Sequence, residues 1–101
     1  MKELTLCPRL SKAMELIGKR WTGLIIYQLL EGPKRFNAIE QSLPISGRLL
    51  SERLKELEKE DIVIRTVYSE VPVRVEYCLT DKGRALEAAI REIEQWSQSW
   101  T

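Results

Sequence analysis

From Ser46 to about Glu60 the apolar residues recur at helical spacing. Leu50, Leu54 and Leu57 fall on one side of a 3.6-residue turn, with Leu49 and Arg53 on its flank, while Arg48, Ser51, Glu52, Lys55 and Lys59 fall on the other. Ser46 stands where its hydroxyl can cap the first turn. The period then drops to two: Val73, Val75, Tyr77 and Leu79 alternate with Arg74, Glu76 and Cys78, and Ile62, Ile64, Thr66 and Tyr68 mark the partner strand, with Ser69-Glu70-Val71-Pro72 as the tip. After Thr80-Asp81, a good cap with an acid at the positive end of the helix dipole, the helical period returns: Leu86, Ala89, Ile93, Trp96 and Trp100 follow a three-four spacing with Ile90 beside them.

Upstream, Cys7-Pro8 opens a helix with Leu10, Ala13, Met14 and Ile17 apolar, ended by Gly18; proline favours the first helical position, which puts Cys7 at the cap. A second helix, about Arg20 to Glu31, is apolar almost all round and is expected at the centre of the domain; Gly32-Pro33 stops it. Phe36, Ile39 and Leu43 mark a short third helix, separated by Pro44 from the helix capped at Ser46. Helix, helix, two-stranded hairpin, helix is the order of a winged helix-turn-helix. The expected fold is α+β: mainly helical, with a two- to three-stranded antiparallel wing and a C-terminal dimerisation helix. One domain covers residues 1–101, with a recognition helix at about 46–60, a wing at about 62–79, and dimerisation helices at about 8–17 and 80–100.

Two tryptophans near the end of a small domain's last helix are hard to bury within one subunit, so Leu86, Ala89, Ile90, Ile93, Trp96 and Trp100 are expected to form a symmetric dimer seam. Packing of the helix back onto its own domain is the alternative. A chain of 101 residues builds only a modest core and gains by association.

Composition narrows the chemistry. The chain has no histidine, which removes the commonest general base and any Ser-His or Cys-His dyad, and its five glycines are scattered rather than gathered into a phosphate loop. Two cysteines make neither a disulfide framework nor, without histidine, a four-ligand zinc site. No catalytic residues, metal or cofactor are therefore expected. The apolar run from Leu24 to Leu30 is too short to span a bilayer, and six residues before Cys7 are too few for a signal peptide, so the expected location is cytoplasmic, with no membrane partner.

Net charge is +1, which by itself does not suggest a polyanion partner. The distribution does more: Lys34, Arg35, Arg48, Arg53, Lys55, Lys59, Arg65 and Arg74 all lie mid-chain, diluted by five acids between Glu52 and Asp61. Arg74, beside the wing tip, can reach a phosphate or a minor groove, or else pair with Glu70 or Glu76. The polar stripe on the helix from Ser46 suits a major groove, although an ordinary solvated face would look the same.

Cys7-Pro8, GKRWTGLII from Gly18, GPKRF from Gly32, LLSERLKELE from Leu49, VPVRVEY from Val71 and LTDKG from Leu79 together resemble the HxlR-type winged-helix transcriptional regulators, relatives of the MarR group. Within the family the chain looks closest to the YodB branch, repressors that sense quinones and other thiol-reactive electrophiles. The resemblance implies a homodimer on a pseudo-palindromic operator of double-stranded DNA, with half-sites about 34 to 36 Å apart or a multiple of that. It makes Ser46, Arg48, Ser51 and Lys55 the groove-facing candidates, Arg48 reading guanine through two parallel hydrogen bonds. Lys34, Arg35 and Arg74 become phosphate contacts. Arg53, at the edge of the leucine stripe, is included as a DNA contact or as a structural residue.

Cys7 is the redox candidate. At a helix cap the partial positive charge of the first turn, with Arg9 and Lys12 nearby, favours the reactive thiolate; the alternative is an inert buried filler. The resemblance implies a sensor, because members of the family carry a reactive cysteine at this position, with an electrophile or quinone as inducer. Family members that switch by an intersubunit disulfide often use a second cysteine near the C-terminus, and none follows Cys78 here. Alkylation, S-thiolation, or pairing with Cys78 or the other subunit's Cys7 remain open; Cys78 itself faces out of the wing strand. Activation rather than repression, regulation without redox sensing, and a winged-helix module that docks protein are the rival readings. A protein-docking helix should present large apolar anchors, which Arg48, Ser51 and Lys55 are not.

Overall fold

A computed structural model describes residues 7–101. In chain order the elements are α1 (Pro8–Ile17), α2 (Thr22–Leu29), β1 (Lys34–Arg35), α3 (Phe36–Ser42), α4 (Gly47–Lys59), β2 (Val63–Tyr68), β3 (Arg74–Leu79), α5 (Asp81–Arg84) and α6 (Glu87–Trp100). The three strands form one antiparallel sheet in the order β1-β3-β2. This is the expected α+β winged helix-turn-helix.

The core lies where α2, α3, α4 and the root of the wing converge. Ile25, Ile26, Leu29, Ile39, Leu50, Leu54 and Leu57 are at most 1% exposed and pack with Ile62, Val63, Tyr77 and Leu79. The leucine stripe of α4 therefore faces inward as its spacing predicted, and truncating one of these leucines to alanine costs about 2 to 5 kcal/mol. Ser46 caps α4, its hydroxyl oxygen accepting the Leu49 N–H at 3.1 Å.

Four details depart from the sequence reading. First, α2 begins at Thr22 rather than Arg20 and ends at Leu29; Trp21 takes a left-handed conformation (φ 81°) in the sharp reversal after α1, and Gly32 (φ 136°) supplies the turn into β1. Nor is α2 covered all round, since Leu24 is half exposed.

Second, Lys34 and Arg35 form an edge strand, with Lys34 opposite Tyr77 and Arg35 opposite Glu76. Third, the phase of β2 is shifted. Register sets Val63 against Leu79, Arg65 against Tyr77 and Val67 against Val75, so these share the core-side face, while Ile64, Thr66 and Tyr68 lie with Cys78, Glu76 and Arg74 on the other.

Fourth, the C-terminal helix is broken. The Leu86 N–H turns back to Gly83 O at 3.0 Å, a tightened turn that separates α5 from α6. Gly83 lies so close to the wing root that a Cβ there would stand 2.4 Å from the Ile62 carbonyl oxygen, so α5 packs directly on the wing root.

Candidate nucleic-acid interface

The outward face of α4 is open. Arg48 has a side chain 92% exposed and only a 3.6 Å contact to Glu52 one turn on, an exposed pair too weak to hold it. Lys55 is exposed and Ser51 half-buried on the same stripe. Ser46 lies at the N-terminal edge, its hydroxyl oxygen engaged as the cap. Arg48, Ser51 and Lys55 stand along one side of a helix whose opposite side is locked into the core, with Ser46 just before its first turn.

The other basic candidates are not equivalent. Arg53 lies away from the stripe: its side chain is 18% exposed, its Nη1 donates to Glu56 at 3.0 Å and its Nε reaches the Arg20 carbonyl at 3.5 Å. It ties α4 to the α1–α2 turn. Arg74 is held within the wing, donating to Glu70 and Glu76 at 2.8 Å each, with its guanidinium carbon 4.0 Å from the centre of the Tyr68 ring. The hydrogen bond to Glu70 is the main reason its pKa rises above the usual arginine value. The alternative partners foreseen for Arg74 are thus both engaged. Lys34 is a quarter exposed and 3.6 Å from Glu31, whereas Arg35 is exposed at the start of α3. The wing tip also bares apolar side chains, with Val71 fully exposed and Val73 62% exposed.

Cys7 caps α1, its Sγ accepting the Leu10 N–H at 3.5 Å, and it is exposed rather than buried. Positions 7, 10 and 14 share one side of a helix. Cys7 therefore begins a stripe continued by Leu10 and Met14, 60% and 56% exposed. Cys78 is half-buried on the wing.

The six seam candidates divide between two faces of α6. Leu86 and Ile90 pack half-buried on their own domain; Ala89, Ile93, Trp96 and Trp100 line an adjoining stripe open to solvent, with Trp96 59% and Trp100 75% exposed. One turn beyond Ile90, on the side of α6 away from the exposed stripe, lies a contact that sequence reasoning missed: the Tyr27 hydroxyl of α2 donates to the Glu94 carboxylate, and Arg91 lies 5.7 Å from the centre of the Tyr27 ring. The hydrogen bond to Glu94 is the largest of the influences that raise the Tyr27 pKa above 10.0. A tyrosine pKa raised on folding stabilises the fold fully below pH 10 and ceases to do so as pH climbs through the folded value, so this link is intact at neutral pH. Nothing in the spacing of positions 27 and 94 signals it. Among the described residues no cluster of acids and cysteines has metal-binding geometry, and no helix is long and apolar enough to cross a membrane.

A helix-turn-helix with one exposed polar stripe, flanked by a wing, is a DNA-reading geometry, and comparison with known proteins decides the family. The profile of the HxlR-like helix-turn-helix family matches residues 16–101. The chain belongs to this family. It is 54% identical over 101 residues to the HTH-type transcriptional regulator YvaP of Bacillus subtilis, covering 99% of this chain and 94% of YvaP. It is similar in structure to the reduced form of the B. subtilis transcriptional regulator YodB (TM-score 0.84, 49% identity, 95% of each chain). It also matches quinone-bound YodB (TM-score 0.81, 47% identity, 94% of this chain and 100% of that one). This HxlR-family chain is accordingly a winged-helix transcriptional regulator of the YodB type.

Proposed function

We propose that the protein is a cytoplasmic homodimeric repressor that binds a pseudo-palindromic operator through α4 and is released when Cys7 is modified by a quinone, another electrophile or an oxidant. The observation that carries the DNA reading is the open stripe of Arg48, Ser51 and Lys55 on a helix rigidly seated by Leu50, Leu54 and Leu57. Arg48 reads bases, while Lys55 and Arg35 neutralise phosphates. Lys34, and Arg74 once its acids let go, add phosphate contacts at the wing.

The sensor reading is supported by the exposure of Cys7, by its place on the unpartnered Leu10-Met14 stripe, and by the existence of a quinone-bound form of the similar YodB. Addition of the Cys7 sulfur to a quinone ring carbon forms one C–S bond. The C=C π bond breaks and its pair moves onto one quinone oxygen, which takes up the thiol proton; the proton on the substituted ring carbon then leaves for the second oxygen as the ring becomes aromatic, giving a thioether-substituted hydroquinone with no leaving group. Such an adduct enlarges the side chain on a face that the second subunit covers.

The test is binding of purified protein to duplex DNA from upstream of its own gene, with quinone or diamide titrated in, beside Cys7→Ser and Arg48→Ala. Loss of binding by the wild type but not by Cys7→Ser, with recovery under reductant after diamide, is the expected result. Binding indifferent to both reagents removes the sensor and keeps the DNA reader. Arg48→Ala is expected to lose about 1 to 3 kcal/mol on the operator and little on random DNA; equal losses on both would remove Arg48 as a base reader.

A further inference from the structure

The two halves of the broken C-terminal helix are attached differently. α5 is fixed to the body: Gly83 abuts Ile62, the Thr80 hydroxyl donates to Asp61 O at 2.6 Å, and Lys82 Nζ donates to Glu60 O at 2.7 Å. α6 has no buried residue, and beyond Leu86 and Ile90 its sole side-chain hydrogen bond to another element, among the described residues, is the one from Tyr27 to Glu94. Arg91 adds a 3.7 Å contact to Glu94 and a 3.5 Å contact to Glu87, bracing the carboxylate from its own helix.

The two ends of this link differ in stiffness. Tyr27 projects from α2, whose neighbouring residues Ile25 and Ile26 are fully buried, so its backbone cannot yield. Glu94 lies eight residues beyond Leu86, about 12 Å along a helix, and Trp100 lies about 21 Å along it. An ångström of play at Glu94 therefore becomes about 2 Å at Trp100.

We propose that Tyr27 and Glu94, braced by Arg91, are positioning residues: they set the angle of α6 on the DNA-binding body, and through it the separation of the two recognition helices in the dimer. The inference rests on the homodimer reading above. It gives the pair a role in matching half-site spacing without contact to DNA. A hydroxyl donating to a carboxylate suits that role, because it is stronger and more directional than a neutral hydrogen bond.

The test uses the full chain and an operator enriched from a random duplex pool by the wild type, then lengthened or shortened at its centre by single base pairs. Tyr27→Phe is expected to shrink the affinity ratio between native and altered spacings by about tenfold, the equivalent of one charge-assisted hydrogen bond. Glu94→Gln, which still accepts from the hydroxyl, is expected to keep part of that ratio. Sedimentation runs alongside. If both variants are dimers with the wild-type spacing preference, the positioning role is overturned; if either is monomeric where the wild type is a dimer, the pair supports association instead and the role is again overturned. A monomeric wild type would overturn the homodimer reading itself. Should Tyr27→Phe fail to fold by circular dichroism, Glu94→Ala on the outer helix poses the same question and is decided by the same ratio.

Discussion

Eight mid-chain cations look alike in the sequence, and their surroundings separate them. Arg48 and Lys55 project from α4 unheld, Arg53 is tied to Glu56 and Arg20, and Arg74 is shared by two carboxylates and an aromatic face. A cation that stays bound to its own carboxylates meets no phosphate and displaces none of the counterions condensed on the DNA. Lys55→Gln is therefore expected to reduce the slope of log affinity against log salt by about 0.9, the value for one phosphate, whereas Arg53→Gln leaves the slope unchanged and lowers the melting temperature. Titrating duplex binding between low and moderate salt separates the two. The stripe positions were legible from period alone. The pairing of Arg74 was legible only as one of two options, because a residue beside a turn is within reach of both its own wing and a partner.

The elements with one clean period were read correctly and those without were not. α4 was legible to within a residue because leucine marks one side and charge the other. β2 was out of phase because Ile62, Val63, Ile64, Val67 and Tyr68 are apolar on both faces, leaving no alternation to follow. The break between α5 and α6 was hidden because the apolar spacing runs on through it, and the need for glycine at Gly83 was hidden because it is tertiary: only the approach of Ile62 shows why no side chain fits. Gly83→Ala is expected to cost about 1 to 3 kcal/mol, visible as a lower midpoint in urea, since the clashing atom is backbone and the wing root must shift. The left-handed Trp21 is likewise invisible to pattern, tryptophan having no preference for that conformation.

At the scale of the molecule, the radius of gyration is 15.5 Å, against about 13 Å for a compact chain of this length, so the protein is extended for its size. The excess accompanies a bare apolar surface: Leu10, Met14, Leu24, Ile93, Trp96 and Trp100 are all at least half exposed. Monomers seldom leave so much apolar surface in water, and a second copy of the same surface is the simplest cover in the proposed homodimer. Trp96→Asp is expected to sediment as a monomer at micromolar concentration and to bind operator no better than random DNA, since one half-site alone is then engaged.

The corner at Gly83 has a mechanical meaning. Three things end there: α4, through Ile62 N–H to Leu57 O at 2.9 Å; the wing, through Thr80 N–H to Ile62 O at 3.0 Å; and the fixed half of the C-terminal segment. If α6 acts as the proposed lever, that corner is its fulcrum, and torque arriving along it meets α4 and the wing as one piece. In the homodimer proposed above, major-groove and backbone contacts would then be gained and lost in one stroke, each half-site meeting a rigid key rather than two independent fingers.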